Sequence, residues 1–323
     1  MSTTRSFETD YATVTSGVGL LDASERGKLA LTGPDAKEFL QGQVTQDING
    51  LTPGHGCYAA LLTQKGKMLG DLRVLNVGPP ASAAAALLLD TERVALQGLF
   101  NMIRTFSLGY DLQLHKRTLE CGLLSLIGPL ADELITGAGA TLGPAEHDHC
   151  ELSLGANTVR VIRTDVGVDV LCGAEQLPTV RDALLAAGAV EVAEAAAEAV
   201  RIEHGRPRYG IDLDDSVIPQ EAQLNQRAVS FTKGCYVGQE TVARLFYRGK
   251  PNRELRGLTS AEPLAVGTQL TLEGRVVGTV TSSSVSPRLG AIALALVRRE
   301  APVGAIVAAG EQHEAVVCDL PFD

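Results

Sequence analysis

The run Lys233-Gly234-Cys235-Tyr236-Val237-Gly238-Gln239-Glu240 sets a thiol between a lysine ammonium and an expected helix start. Both neighbours favour the thiolate, the form that attacks electrophiles or binds metal. Gly234 and Gly238 leave no side chains beside it, so a flat ligand or a partner backbone can approach closely. The other cysteines, Cys57, Cys121, Cys150, Cys172 and Cys318, are scattered and form no CxxC pair. That is the pattern of free, mostly buried thiols rather than of a disulfide framework or a zinc site.

Three further constellations carry chemistry-bearing residue types. In Arg201-Ile202-Glu203-His204-Gly205-Arg206-Pro207-Arg208-Tyr209-Gly210-Ile211-Asp212 a helix end breaks at Gly205 and Pro207 and crowds its charges into a loop, where binding residues concentrate. A carboxylate such as Glu203 can accept from two adjacent N–H donors of an aminopyrimidine-like ring; it can equally pair with Arg201 or Arg206. Asp71 stands on an expected strand between Leu69, Leu72 and Val74, as either a structurally bonded aspartate or a perturbed carboxylate at a site. His147-Asp148-His149-Cys150 has metal-ligand types, but consecutive residues do not easily converge on one ion, and no second cluster follows at ligand spacing. Arg201, Arg206, Arg208, Lys233, Arg244, Arg248 and Lys250 form a basic concentration that reads as an anion site or as solvated side chains.

The elements that must position these groups fall into three parts. Residues 28–40 read as strand, Gly33-Pro34 corner and helix, with Pro34 in the first helical turn. Leu123–Ile127, Gly128-Pro129 and Leu130–Ile135 repeat that device, matching Ala36 with Ala131, Glu38 with Glu133 and Phe39 with Leu134, which implies two related units. Between the corners, Tyr58–Leu62, Lys67–Asn76 and Ala86–Leu89 read as antiparallel strands with turns at Lys65-Gly66 and Gly78-Pro79-Pro80. Thr91–Phe106 reads as a helix with Val94, Leu96, Leu99, Ile103 and Phe106 inward. In the second unit, Thr158–Arg163 and Gly167–Leu171 form a hairpin, followed by helices over Leu177–Ala187 and Val192–Glu203. From Pro251 to Asp323 helical periodicity gives way to short β-branched runs, the mark of a small barrel or sandwich. The expected divisions are a first α+β unit over 1–118, a second over 119–230, a connector over 231–250 and a β-barrel over 251–323.

With 323 residues, 45% hydrophobic and 20% charged, this is a multi-domain globular chain. A net charge of −10 opposes sequence-independent nucleic-acid binding. Met1–Glu8 has no signal-peptide core, and the most apolar run, Ala81–Leu89, is too short to cross a bilayer. A cytoplasmic protein without direct nucleic-acid or membrane partners is the expectation.

Lys233–Glu240, preceded by Val229-Ser230-Phe231-Thr232, resembles the K-G-C-[FY]-x-G-Q-E signature of the YgfZ-type folate-binding proteins, relatives of the glycine cleavage T-protein (an aminomethyltransferase). Leu31–Asp47, Arg201–Asp212 with Pro219-Gln220-Glu221, and Ser282–Val297 resemble further segments of that group, so the likeness runs over most of the chain. The resemblance implies an α+β fold of two ferredoxin-like units and a C-terminal β-barrel, closed as a ring around a hole that takes tetrahydrofolate or a derivative. It places Glu203 on the pterin ring and Asp71 where the T-protein has an Asp-Asp pair, here Gly70-Asp71. Asp90 replaces a folate-contacting asparagine, and Cys235 has no T-protein counterpart.

The function so implied is a folate-dependent accessory protein that assembles or repairs iron–sulfur clusters in client enzymes, tRNA-modifying ones included. A folate-dependent aminomethyl transferase and a folate-binding scaffold or sensor are the alternatives. Expected for chemistry are Cys235, Lys233 and Asp71; for the cofactor, Glu203, Arg201, Tyr209, Gln239 and Arg244. No stable metal is expected, because one cysteine cannot hold a cluster that needs four thiolates.

Overall fold

A computed structural model describes residues 5–78 and 85–322. The expected turn at Pro79-Pro80 and the start of the apolar run at 81–84 lie outside them. Helix α1 (Phe7–Ser16) and strand β1 (Gly19–Asp22) come first. The first unit then runs β2 (Gly27–Gly33), α2 (Ala36–Gln43), β3 (Gly56–Leu62), β4 (Met68–Asn76), β5 (Ala85–Thr91), α3 (Leu96–Phe106) and β6 (Gln113–Lys116). The second runs β7 (Cys121–Ile127), α4 (Ala131–Gly137), β8 (His149–Leu154), β9 (Asn157–Arg163), β10 (Gly167–Gly173), α5 (Leu177–Ala186), β11 (Val190–Glu191) and α6 (Glu194–Glu203). Short α7 (Asn225–Ala228) and α8 (Gln239–Arg248) lead to the barrel strands β12 (Arg253–Ser260), β13 (Gln269–Leu272), β14 (Arg275–Ser286), β15 (Gly290–Arg298), β16 (Ile306–Ala309) and β17 (His313–Cys318).

Both α+β units repeat strand, helix, three-strand meander and helix. Their sheets have matching orders, β3-β4-β5-β2-β6 and β8-β9-β10-β7-β1-β11. The shared corner has a physical cause. Gly33 (φ 117°) and Gly128 (φ 128°) adopt left-handed backbone, and a Cβ on either would overlap a carbonyl oxygen, of Asp111 and Gly17 respectively. The helices α2 and α4 start at Ala36 and Ala131, so Pro34 and Pro129 stand just before the helices rather than inside their first turns. Phe39, Leu40, Leu29 and Leu31 fill the first core; Leu124, Leu126, Val161 and Val170 fill the second.

Two expectations need correction. The second sheet is completed by β1, which pairs antiparallel with β7 and parallel with β11, so the N-terminal residues belong with the second unit and not the first. The helix expected from Thr91 starts only at Leu96, because β5 stays in register through Asp90 and Thr91 against Lys28 and Gly27. As a result Val94 and Phe106, 65% and 59% exposed, face out rather than in. The C-terminal part is the expected barrel, closed from six strands in the order β12-β15-β14-β13-β16-β17. No helix among the described residues is long and apolar enough to cross a membrane.

A salt bridge from Arg73 on β4 to Asp169 on β10 (2.7 Å) joins the two sheets. The barrel docks on α6, where Ile202 packs with Leu255, Ile292 and Leu294 and Arg201 reaches Ser282 at 2.7 Å.

Candidate functional site

Two adjoining cavities share Thr164, Asp165 and Val166, the turn between β9 and β10, as a common wall. The one between the sheets, about 250 Å³, is lined by Tyr58, Asp71, His147, Asp169 and a set of arginines. The other, about 340 Å³, is lined by Val14, Thr15, Gly128, Pro129, Val200 and Glu203. Cavities of this size that combine apolar walls with a few convergent polar groups are the usual form of small-ligand sites.

Asp71 lines the inner cavity, between the sheets. Strand β4 is buried along most of its length, so this carboxyl is only 5% exposed. Burial pushes it up to about 6, and the Tyr58 hydrogen bond and the charge of Arg26 only partly oppose that rise. The Tyr58 hydroxyl donates to Asp71 Oδ2 at 2.6 Å. Burial and the neighbouring Asp71 charge hold the Tyr58 phenol well above its ordinary range, so it remains a donor. A carboxyl that changes protonation near neutral pH, in a partly enclosed cavity, is suited to take and return a proton.

The arginines around it are already paired. Asp90 lies between Arg26 and Arg73 at 2.7 Å each, and these two cations hold its carboxyl below the usual range against the cost of burial. Arg206 reaches Asp165 at 2.6 Å, Arg208 reaches Glu92 at 3.2 Å, and Arg201 reaches Asp212 at 2.7 Å. Arg227 pairs with Glu146 and lies 4.6 Å from the centre of the Tyr58 ring. The asparagine-to-aspartate difference at Asp90 thus serves two guanidiniums, the buried one of Arg73 and the partly exposed one of Arg26. The basic concentration noted in the sequence forms no single groove. Its Arg201, Arg206 and Arg208 hold carboxylates at the cavity, while Arg244 and Arg248 are exposed on α8.

Glu203, at the end of α6, is 5% exposed. Its Oε1 accepts from the Tyr11 hydroxyl at 2.7 Å, and its Oε2 lies 3.5 Å from the Arg288 guanidinium. Each carboxylate oxygen has two lone pairs, which leaves acceptor capacity for a ring N–H donor in the outer cavity.

The Cys235 segment lies elsewhere. Lys233 Nζ donates to the carbonyls of Gln41, Val44 and Gln46 at 2.6, 2.7 and 2.9 Å, capping the end of α2. It serves that backbone, not the thiol, which corrects the expected lysine–thiol pair. Helix α8 starts four residues beyond the thiol, at Gln239. Cys235 is exposed and lines neither cavity. Gly238 (φ 84°) packs against the Thr63–Gly66 turn, and Tyr236 is buried in a cluster that includes Tyr58, so the motif buttresses the hairpin bearing Asp71.

The structure therefore gathers Asp71, Arg201 and Glu203 around the two cavities and leaves Lys233, Cys235, Gln239 and Arg244 outside them. Tyr209 packs against the cluster around Tyr236. Sequence reading missed Tyr58 and Arg227 and singled out His147 only as a metal-ligand type. Tyr58 had a usable signal: with Ala60 opposite Asp71, it is the diagonal neighbour on the same sheet face.

Residues 2–233 match the GCVT N-terminal domain family, and residues 253–323 match the glycine cleavage T-protein C-terminal barrel domain. The chain is 28% identical to a protein named a chloroplastic transferase of Arabidopsis thaliana, over 95% of this chain and 71% of the relative. It is 29% identical to an aminomethyltransferase of Rubrobacter xylanophilus, over 97% of this chain and 85% of that one. The glycine cleavage system aminomethyltransferase T of Bartonella henselae superposes with a TM-score of 0.85 at 24% identity, covering 98% of this chain and 89% of the other. By its fold and the span of these matches, the chain belongs to the glycine cleavage T-protein family.

Proposed function

We propose that this protein binds tetrahydrofolate or a derivative across the two adjoining cavities and handles a one-carbon unit there, with Asp71 as the acid–base group. The observation that carries the reading is the Asp71 carboxyl, buried beside Tyr58 and lifted to about 6. The residues present fit such a ligand: Glu203 offers acceptor capacity in one cavity, and Asp71 offers a titrating carboxyl in the other. When bound, the folate supplies the nitrogen that takes up or releases the one-carbon unit. Glu203 orients the ring by accepting its N–H donors, with Tyr11 and Arg288 holding the carboxylate in place. Asp71 moves the proton, and Tyr58, donating to its Oδ2, steadies the charge left behind. The names of the relatives, transferase and aminomethyltransferase, agree with transfer chemistry of this kind.

A second reading, support of iron–sulfur clusters in client enzymes, rests on Cys235, an exposed thiol outside the cavities that a partner can reach. One experiment separates the two: tetrahydrofolate binding by calorimetry, turnover with an aminomethyl donor, and rescue of cluster-enzyme activity in a deletion strain, for wild type, Asp71→Asn and Cys235→Ala. The one-carbon reading expects Asp71→Asn to bind folate and lose turnover. The client reading expects Cys235→Ala to bind folate and lose rescue. Absence of folate binding by the wild type overturns the proposal.

A further inference from the structure

His147 shares the inner cavity wall with Tyr58, Asp71 and Arg227, and neither of its ring nitrogens has a hydrogen-bond partner among the described residues. The residue is 6% exposed. Its Nε2 lies 3.7 Å from Glu146 Oε1, beyond hydrogen-bond reach. Buried polar groups are rarely left unpaired, and such an orphan asks for a partner supplied from outside the chain.

The backbone around it is built to hold this position. His147 has φ 71°, a left-handed conformation that non-glycine residues adopt only under constraint. The Asp148 carboxylate accepts from the Ala145 N–H at 2.8 Å and from His55 Nδ1 at 2.7 Å, which closes the turn. The His147 N–H donates to the Arg163 carbonyl at 3.0 Å. Gly56 opens β3 where a Cβ would meet His147 Cβ at 2.9 Å. Three segments thus fix a side chain that makes no polar contact of its own.

The geometry points to His147 as a ligand-binding residue, its imidazole donating one hydrogen bond and accepting another from an uncharged polar edge of the bound molecule, an amide or a ring N–H/C=O pair. Neutrality follows from its surroundings. Burial, then the Arg73 charge, lower the imidazole to about 3, overriding Glu146 and Asp165. The cavity's arginines are already paired with carboxylates, so His147 supplies polar capacity that they do not. This inference rests on the folate reading, whose ligand carries such edges.

The test compares wild type with His147→Phe and His147→Gln, using 5-formyltetrahydrofolate as the probe. Three quantities are read: the calorimetric Kd, the melting temperature without ligand, and the imidazole ¹⁵N shifts, His147 being identified by its loss from the spectrum of the phenylalanine variant. His147→Phe should raise Kd tenfold or more with an unchanged or higher melting temperature, and His147→Gln should recover part of the affinity. The His147 nitrogens should report a neutral ring whose shifts move on binding. If the wild type binds and His147→Phe keeps its Kd, or the His147 shifts stay put, the assignment is wrong. Loss of affinity in step with a lowered melting temperature also overturns it, by making the role structural. Failure of the wild type to bind overturns the folate reading itself and this inference with it.

Discussion

Asp71→Asn has a calculable effect on stability. The carboxyl titrates near 6 in the folded protein against 3.8 in the unfolded chain. Between those values the native state keeps a proton that the unfolded state has released, so stability falls as pH rises through this window and levels off above it. A shift of about 2 units corresponds to about 3 kcal/mol, at 1.36 kcal/mol per unit. Asparagine is nearly isosteric and can still accept from Tyr58, but it does not ionise. Urea melts of both proteins at pH 4, 5, 6 and 7 should give similar stabilities at pH 4 and place the variant about 3 kcal/mol ahead at pH 7. The ¹³C shift of the Asp71 carboxyl should titrate near 6 in the same wild-type protein. A difference that does not change with pH, or wild type gaining on the variant as pH rises, refutes the argument that burial governs this carboxyl.

Two other expectations concern the supports of the site. Asp90→Asn removes the partner that Arg26 and Arg73 share but leaves Glu92 on Arg26 and Asp169 on Arg73, and should cost about 1.5–3 kcal/mol in denaturant melts. Because the Asp90 carboxyl lies below its ordinary value, the stabilisation it provides is present above pH 3.8 and is lost only in more acidic solution. Lys233→Ala removes three carbonyl contacts and should cost about 2 kcal/mol, whereas Cys235→Ala, at an exposed position, should change stability by less than about 0.5 kcal/mol. Equal costs for those two variants would show that the motif is not divided into a structural lysine and a surface thiol.

Much of the framework was readable from local signals. The Gly33-Pro34 and Gly128-Pro129 corners exposed the repeat because each needs a residue without a Cβ at a left-handed position. Asp71 stood out as a lone charge among apolar neighbours, and burial is indeed what shifts it. What escaped notice depends on contacts distant in sequence. Lys233 sits two residues from Cys235, yet its ammonium turns to carbonyls at Gln41, Val44 and Gln46, nearly two hundred residues earlier in the chain. The run His147-Asp148-His149 carried metal-ligand types that the sequence argued against converging on one ion, and the turn sends its side chains to different partners: Asp148 to His55, His149 to Arg160, and His147 to the cavity. The partnering of Arg227 with Glu146 and Tyr58 had no signature in composition or periodicity.

Strand β1 carries a consequence for biogenesis. It is made before its partners β7 and β11, which emerge roughly a hundred and a hundred and seventy residues later. On the ribosome the residues from Gly27 to Lys116 can complete their own sheet first, while Leu20, with Val14 and Val18 ahead of it, waits uncovered. The earliest-made strand of the second sheet therefore waits for β7 before it can pair, and the edge strand β11, which pairs with β1, is added after it. An excised fragment ending at residue 118 would leave that apolar segment exposed, whereas a fragment starting at Arg26 would not.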